Sequence, residues 1–216
     1  MKCFALWVSI LIGLGLIVGA WQKWLPLSLT ETLGFVTGAA CVCLVVEENI
    51  WNFPLGIANN IFFLVLFLNS RLYGDAGLQI VYLVLGFQGW YWWLYGGSER
   101  TGLHITRASR RELMSIGFIT LTGTAGLMLL LRAVKGSAPL LDAFTTVLSL
   151  AAQFLLNRKI IENWWLWIVA DIVYVYLYFS RGLKLTAVLY FIFLCLCIAG
   201  GLNWRRLSDA QAQVVS

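Results

Sequence analysis

Charged side chains are scarce in this 216-residue sequence, in which Asp, Glu, Lys and Arg together make up 12% and hydrophobic residues 61%. Soluble proteins average roughly 25% charged residues and about half apolar ones. So few polar groups could not cover a globule in water. The composition therefore excludes an ordinary water-soluble enzyme, a disordered chain and a soluble disulfide scaffold. It predicts an all-α polytopic membrane protein.

Groups that enzymes use for catalysis are also missing. His104 is the only histidine, which rules out His-based metal sites and Ser-His-Asp triads. No glycine-rich loop followed by Lys-Ser/Thr is present, so nothing in the sequence indicates use of ATP. Only one acidic residue is predicted at mid-membrane depth, which argues against an intramembrane aspartyl dyad. We predict a protein that is not an enzyme and has no cofactor.

The five cysteines do not suggest a disulfide framework or a metal site. They all lie in apolar runs, at Cys3, Cys41, Cys43, Cys195 and Cys197. Their number is odd, and residues two apart on a helix point in different directions, so neither Cys-x-Cys pair could chelate a metal. We expect small buried hydrophobic side chains.

Long apolar runs provide about eight candidate transmembrane helices, each near the roughly 20 residues that one crossing requires. They fall at 3–21, 29–46, 52–70, 76–97, 113–131, 139–157, 162–180 and 184–204. The second and sixth are shortened by Glu31 and Asp142. The first run is long for a signal peptide and lacks a clean cleavage site, so we expect a retained span.

The basic residues predict the orientation and the partner. Eight spans place both termini on one side, which then holds nine of the 15 Lys and Arg residues, four of them in the loop 99–112. This excess predicts that both termini are cytoplasmic. The net charge of +5 is scattered along connections, with no basic helix or arm, so we expect a lipid bilayer and no nucleic acid as partner.

An internal repeat appears when the chain is shifted against itself by 111 positions. Asn52 then falls on Asn163, and Asn60 on Asp171. Four apolar matches accompany them, in which Leu55, Ile57, Ile61 and Leu66 fall on Leu166, Ile168, Ile172 and Leu177. Five identities in the sixteen positions 52–67 are weak evidence in apolar helices. The coincidence of the polar pair is the better part of the signal.

Topology adds weight to this repeat. Three crossings reverse the chain, so one linking helix is needed before a second triple-helix unit can repeat the first in parallel, which is a known plan of transporters. We predict a 3+1+3 core with an extra N-terminal helix. The single transmembrane domain would comprise that helix (1–28), a first bundle (29–97), a linker helix region (98–137) and a second bundle (138–206).

Asp171 lies at the middle of the seventh run. A carboxylate there costs about 2.5–3.5 kcal/mol or more, so it must face protein or a watery cavity. At 100° per residue, five side chains fall within an arc of about 80°: Trp164, Trp167, Asp171, Tyr174 and Tyr178. An interfacial aromatic belt would explain Trp164. It explains Trp167 and Tyr174 poorly, so we favour the wall of a cavity.

Amide side chains on other runs are candidates for the same cavity: Asn60, Gln88, Gln153 and Asn157. The alternatives are hydrogen bonds between helices and, for Asn157, a solvated helix end. Trp and Tyr rings favour a flat heteroaromatic ring, more so a cationic one. Amides suit a carboxamide or ribose hydroxyls, and the acid could balance a positive charge. The predicted ligand is small, polar, ring-bearing, and neutral or cationic.

Several strings of residues are similar to those of a known family. They are ENIWNFPLGI at 48–57, Asn59-Asn60, LYGD at 72–75 with Gln79, GWYWW at 89–93, KIIENW at 159–164, and Trp167, Ile168, Asp171, Tyr174, Leu177 and Tyr178. Over about residues 30–206 the chain resembles the PnuC family of vitamin transporters. The first helix and the C-terminal tail contribute nothing to this resemblance.

The resemblance implies a SWEET-like pair of triple-helix bundles, often trimeric, in the bacterial inner membrane. Members take up nicotinamide riboside by facilitated diffusion, and a cytoplasmic kinase phosphorylates it; no ion or ATP coupling is expected. Relatives carry riboflavin, thiamine or deoxynucleosides.

By position, the resemblance implies a site that contains Asn163, Trp164, Trp167 and Asp171, with Asn60, Gln88 and Gln153 facing them. We expect Trp167 to stack on the ring. A substrate-capturing subunit of a multi-component importer and a purely structural subunit stay open as alternatives.

Overall fold

The computed structural model describes residues 18–19, 22, 29–69, 71, 73–133, 139–182 and 184–215. The described part folds into seven α-helices: α1 (Leu29–Val46), α2 (Asn52–Asn69), α3 (Tyr73–Tyr95), α4 (Arg110–Ala133), α5 (Pro139–Asn157), α6 (Asn163–Ser180) and α7 (Lys184–Val215). Its only β-interaction is an isolated bridge between Thr106 and Ile160. The all-α prediction is confirmed. The predicted first helix at 3–21 lies almost entirely outside the described residues.

Helix boundaries follow the predicted runs closely, and the largest difference is at the end of the chain. Helix α7 continues to Val215 instead of ending near residue 204. Arg205 and Arg206 end an apolar run, but they do not break a helix, and no proline or glycine follows them. The helix therefore extends beyond the apolar segment. Helix α3 ends at Tyr95, where Gly96 and Gly97 follow.

Within the described ranges, four helical segments are long and apolar enough to cross a membrane: Asn52–Asn69, Arg110–Ala133, Pro139–Asn157 and Thr186–Gln211. The apolar part of α1, Thr32–Val46, is shorter. Helices α3 and α6 are rich in Trp and Tyr and carry Gln79, Gln88 and Asp171, which lower their hydropathy. The described part of the chain therefore contains several helices that can span a membrane.

Six of the helices pack into a closed ring. Along the ring, α1 packs on α2, α2 on α3, α3 on α5, α5 on α6, α6 on α7, and α7 back on α1. Helix α4 lies outside this ring against α5 and exposes most of its apolar surface. We call α1–α3 the first triplet and α5–α7 the second triplet. The two triplets meet along the contacts of α1 with α7 and of α3 with α5.

The offset of 111 residues relates the backbones of the two triplets. Helices α2 and α6 begin 111 positions apart and end 111 positions apart, and so do the last residues of α1 and α5. Left-handed backbone occurs in corresponding turns, with φ of 57° at Glu48 and 51° at Lys159, and with φ of 59° at Arg71 and 77° at Gly182. The correspondence therefore extends well beyond the sixteen positions in which the sequence shows it.

Local contacts repeat as well. The Asn52 Nδ2 donates to the carbonyl of Asn49 at 2.7 Å, and the Asn163 Nδ2 donates to the carbonyl of Ile160 at the same distance. Each amide thereby satisfies a backbone carbonyl in the turn that precedes its helix. Asn163 has no exposed surface at all. The two asparagines thus perform the same structural task in the two triplets.

Two tryptophans, which we call the crossing tryptophans, make equivalent hydrogen bonds from one triplet to the other. The Trp93 Nε1 donates to the carbonyl of Leu156 at 3.2 Å, and the Trp204 Nε1 donates to the carbonyl of Val45 at 2.8 Å. Donors and acceptors are each 111 positions apart. The two indole rings lie 5.9 Å from each other, centroid to centroid. Each triplet therefore supplies a donor that satisfies the last turn of the other triplet's first helix.

Glycines permit this close packing. A Cβ atom at Gly89 would overlap the ring of Phe53, and one at Gly200 would overlap the ring of Trp164. In the observed structure these rings meet the crossing tryptophans edge to face, Phe53 with Trp93 at 5.1 Å and Trp164 with Trp204 at 5.5 Å. Edge-to-face contacts at this separation are favourable.

An ion pair joins the triplets beside these rings. The Lys159 Nζ lies 2.6 Å from the Glu48 Oε1, and the side chains are only 8% and 19% exposed. The same ammonium lies 4.5 Å from the centre of the Trp93 ring, a cation–π contact. Glu48 and Lys159 are themselves 111 positions apart. The two residues at this repeat position thus have opposite charges and form a neutral pair.

We use the name turn end for the turns 47–51 and 158–162 together with the segment 96–109. Thr106 exchanges backbone hydrogen bonds with the second of these turns, through the carbonyl of Lys159 and the amide of Ile161, each at 3.0 Å. The Ala108 amide donates to the Glu162 carboxylate at 2.8 Å. The connection between the triplets is therefore fastened across this end of the bundle.

Candidate functional site

The ring of six helices encloses a cavity of about 420 Å³. This size is typical of pockets for small organic ligands. All six ring helices contribute to its wall, whereas no residue of α4 does. The polar and ionisable residues on the wall are Asn52, Asn59, Asn60, Gln79, Tyr82, Ser149, Gln153, Asp171, Tyr174 and Tyr190, with Cys41 and Cys197. A largely apolar cavity that carries these polar groups can hold an amphipathic solute away from lipid.

Helix α6 supplies the aromatic wall. Trp164 is 2% exposed and is held edge to face by Trp204, whereas Trp167 is less buried, one turn further along. Both indole nitrogens are buried, and neither has a hydrogen-bond partner among the described residues. An unpaired buried N–H is costly. Two indole donors thus remain unused by the described part of the chain.

Asp171 provides the charge of the cavity. Its side chain is buried, and its Oδ2 accepts a hydrogen bond from the Cys197 Sγ at 3.4 Å. No Lys, Arg or His occurs among the described residues that line the cavity, and Asp171 is the only acid there. Any charge on the described wall is therefore negative.

Amide groups complete the polar surface. The Gln153 Nε2 donates to the Asn157 Oδ1 at 3.0 Å, and the Asn157 Nδ2 donates to the carbonyl of Leu85 at 2.7 Å. Asn157 thereby fixes the orientation of Gln153 from behind. On α2, the Asn59 Nδ2 donates to the Thr37 hydroxyl at 2.9 Å, while the buried Asn59 Oδ1 has no partner in the described part of the chain.

Most of the predicted site residues meet at this cavity. Six of them line it: Asn60, Gln153, Trp164, Trp167, Asp171 and Tyr174. Three of them do not: Gln88, Asn157 and Asn163. The amides of Asn157 and Asn163 are engaged with backbone carbonyls. Gln88 follows Gly86 by two residues, about 200° around α3, so it points away from the wall that Gly86 lines.

The prediction omitted several wall residues, and the offset of 111 could have found them. Ten pairs of lining residues are related by it: 38/149, 42/153, 45/156, 53/164, 56/167, 60/171, 63/174, 79/190, 82/193 and 86/197. Tyr190 and Phe193 were missed because α7 reads as a uniformly apolar run. Transferring Gln79 and Tyr82 to their repeat positions would have indicated both.

The apolar helices and the half-open cavity, with amides and an acid on its wall, define a membrane transporter. A family model described as nicotinamide mononucleotide transporter matches residues 28–206. The chain belongs to this family of transporters, and the resemblance to PnuC proteins is confirmed.

Similar proteins from three bacteria illustrate the range of this family. The nicotinamide riboside transporter PnuC of Escherichia coli (strain K12) is 27% identical over 82% of this chain and 85% of its own. The PnuC of Neisseria mucosa is 26% identical over 94% and 81%. The riboflavin/roseoflavin transporter RibM of Streptomyces davaonensis is 26% identical over 86% and 89%.

A solved structure supports the same relationship. The crystal structure of the vitamin B3 transporter PnuC superposes with a TM-score of 0.70 at 28% sequence identity. The superposition covers 95% of this chain and 92% of that one. The chain therefore shares the fold of that PnuC protein.

Proposed function

We propose that this protein transports nicotinamide riboside into the cell by facilitated diffusion. The observation that carries the proposal is the wall of the cavity, which in its described part combines two indole rings, amides and a single acid. Nicotinamide riboside presents a flat pyridinium ring, a carboxamide and ribose hydroxyls. The ring suits Trp167, and the polar groups suit Asn60 and Gln153.

The same wall favours the riboside over its phosphorylated form. Phosphate groups are bound by Lys, Arg or clustered backbone N–H groups. The described cavity wall has no basic side chain and carries one acid. A mononucleotide would have to leave its phosphate unpaired next to a carboxylate. Phosphorylation by a cytoplasmic kinase would therefore trap the substrate after entry and drive its uptake.

The architecture and setting belong to the same proposal. We infer a SWEET-like 3+1+3 arrangement, in which a first bundle (29–97) built on the first triplet and a second bundle (138–206) built on the second triplet are linked by the α4 region (98–137). The extra N-terminal helix (1–28) would complete eight spans. The loop 99–112 carries four basic residues, which favours a cytoplasmic turn end and cytoplasmic termini in the bacterial inner membrane. The exposed apolar surface of α4 suits lipid or a homotrimer contact.

A second candidate is transport of another vitamin with the same mechanism. The resemblance to RibM favours riboflavin among these, since that relative matches with nearly the same identity and coverage. Calorimetric titration of the detergent-purified protein with nicotinamide riboside, riboflavin and thiamine separates the candidates. Saturable binding of nicotinamide riboside alone is expected. Binding of a different vitamin would reassign the cargo.

Two further candidates fall outside this mechanism. A substrate-capturing subunit of an ATP-driven importer would bind substrate but would not transport it alone in liposomes. A structural subunit would bind none of the three vitamins. The proposed facilitator should equilibrate nicotinamide riboside across liposomes without ATP or an ion gradient.

The binding site itself is tested by Trp167→Ala. Loss of the ring stack should weaken binding of nicotinamide riboside by about 1–2 kcal/mol, as removal of a desolvated cation–π contact does. Trp165→Ala is the matched control, because Trp165 is on the same helix but is 55% exposed and does not line the cavity. Titration calorimetry measures both variants. Equal affinities in the two would remove Trp167 from the site.

A further inference from the structure

The cavity wall is asymmetric at one pair of repeat positions. Asn60 and Asp171 are 111 positions apart and both line the cavity, so the backbone places an amide and a carboxylate at corresponding depths on the two walls. Phe63 and Tyr174 correspond one turn further along. Of the ten corresponding pairs on the described wall, Asn60 and Asp171 form the only one in which one member is an acid or a base.

The surroundings of Asp171 and Asn60 also differ between the two walls. Asp171 is 6% exposed and accepts from the Cys197 thiol, which fixes one of its oxygens. The repeat position of Cys197 is Gly86, so Asn60 has no corresponding thiol. Trp167, four residues before Asp171 on the same face of α6, corresponds to Gly56. The acid and the ring-binding indole therefore share one wall, and the other wall is uncharged and small at these positions.

We propose that Asp171 makes the transporter selective for the charge of the ring: it selects the cationic pyridinium nucleoside against a neutral nucleoside of the same shape. This inference rests on the proposed function and names the group that determines which form of the substrate is accepted. A carboxylate beside the bound ring attracts a cation more strongly in a cavity than in water, because the effective dielectric constant is lower. The acid acts from the second triplet only, so it also orients the ring toward α6.

The reduced form of the substrate is the sharpest probe. Reduction of the nicotinamide ring of nicotinamide riboside gives a 1,4-dihydropyridine riboside, which is neutral and differs in shape only slightly. Titration calorimetry on the detergent-purified full chain should show the cationic form binding about 10-fold or more tightly than the reduced form. In Asp171→Asn, this ratio should fall to about 3-fold or less, chiefly because the cation binds less tightly. A misfolded variant would lose both ligands, and the retained affinity for the neutral form excludes this.

The exchange variant Asn60→Asp with Asp171→Asn separates position from net charge. It keeps one acid in the cavity but moves it to the first triplet, away from Trp167. The preference for the cation should stay low in this variant. A restored preference would overturn the inference that the acid must share the wall of the indole.

The wild-type measurements keep the two hypotheses apart. If both forms bind equally to the wild-type protein, the charge selectivity is wrong while the proposed cargo stands. If Asp171→Asn keeps the wild-type ratio, Asp171 is not the group responsible. If neither form binds to folded wild-type protein, the proposed function fails and this inference fails with it.

Discussion

The two walls of the cavity share a backbone plan and differ in chemistry. At corresponding positions the first triplet has Gly38, Val42, Gly56, Asn60 and Gly86, where the second triplet has Ser149, Gln153, Trp167, Asp171 and Cys197. At these five positions the side chains of the first wall are smaller, less polar or uncharged compared with those of the second, whereas Gln79 and Tyr82 of the first wall correspond to Tyr190 and Phe193. At these five positions the first triplet therefore leaves space where the second provides an indole and the acid.

The contacts between helices and at their first turns diverge much less. The asparagines that begin α2 and α6, the two crossing tryptophans and the two close-packed glycines make equivalent contacts in both triplets. Packing of one helix on the next tolerates few alternatives at this density. Symmetry is therefore retained where helices touch, and it is lost where they face the solute.

The largest effect on ligand binding is expected when a residue of the second wall is placed at the corresponding position of the first wall. Gly56→Trp would put an indole opposite Trp167 and fill the space that the ring of the ligand needs. We expect affinity for nicotinamide riboside to fall about 100-fold or more, which corresponds to about 2.8 kcal/mol. Gly56→Ala is the matched control, because a Cβ there lies 3.9 Å from its nearest neighbour, the Cys41 Sγ. Calorimetry that finds equal affinities in both variants would mean that the ligand does not use this space.

The ion pair between the triplets should give the next largest effect. Glu48→Gln or Lys159→Met leaves the partner charge part-buried without its counter-ion, which costs about 2–5 kcal/mol for such pairs. The free energy of unfolding in detergent should fall by an amount in this range. The exchange Glu48→Lys with Lys159→Glu should recover part of the loss, because the two positions correspond. No recovery in the exchanged protein would show that the surroundings of the two positions are not equivalent.

The smallest effect is expected for Asn52 and Asn163. Because the two triplets correspond, their substitution should cost the same free energy of unfolding. Asn52→Ala and Asn163→Ala each remove one 2.7 Å hydrogen bond to a turn carbonyl. Each should lower the free energy of unfolding by about 1–2 kcal/mol, because a buried carbonyl loses its donor. Thermal unfolding of the two variants should agree within about 0.5 kcal/mol. A difference larger than that would show that one turn matters more to the fold.

Much of the fold could be predicted from the sequence, because apolar runs and their breaks determine where helices begin and end. The offset of 111 was also visible, although only five identities supported it. The backbone confirms this offset at the ends of α2 and α6 and at the left-handed turns. The corresponding residues at these places are not identical, so the sequence does not reveal them. Glu48 and Lys159, for example, share a backbone conformation but have opposite charges.

The site was harder to predict because an amide in an apolar helix has two uses. Asn157 and Asn163 have the composition of ligand contacts, yet their donors are taken by backbone carbonyls that only the folded chain brings near. Gln88 lies two residues after the wall residue Gly86, so it is on another face of α3. Periodicity placed Trp164, Trp167, Asp171 and Tyr174 of α6 on one face, and all four line the cavity, but Tyr178, the fifth residue of that predicted face, does not.

The opposite charges of Glu48 and Lys159 also determine which halves can assemble. Two first triplets placed face to face would bring glutamate against glutamate at this position, and two second triplets would bring lysine against lysine. Like charges held this close disfavour both arrangements. Only one triplet of each kind forms the neutral pair. If the triplets were produced as separate polypeptides, they should associate with each other in preference to themselves, so the pairing of the halves does not depend solely on the helix that links them.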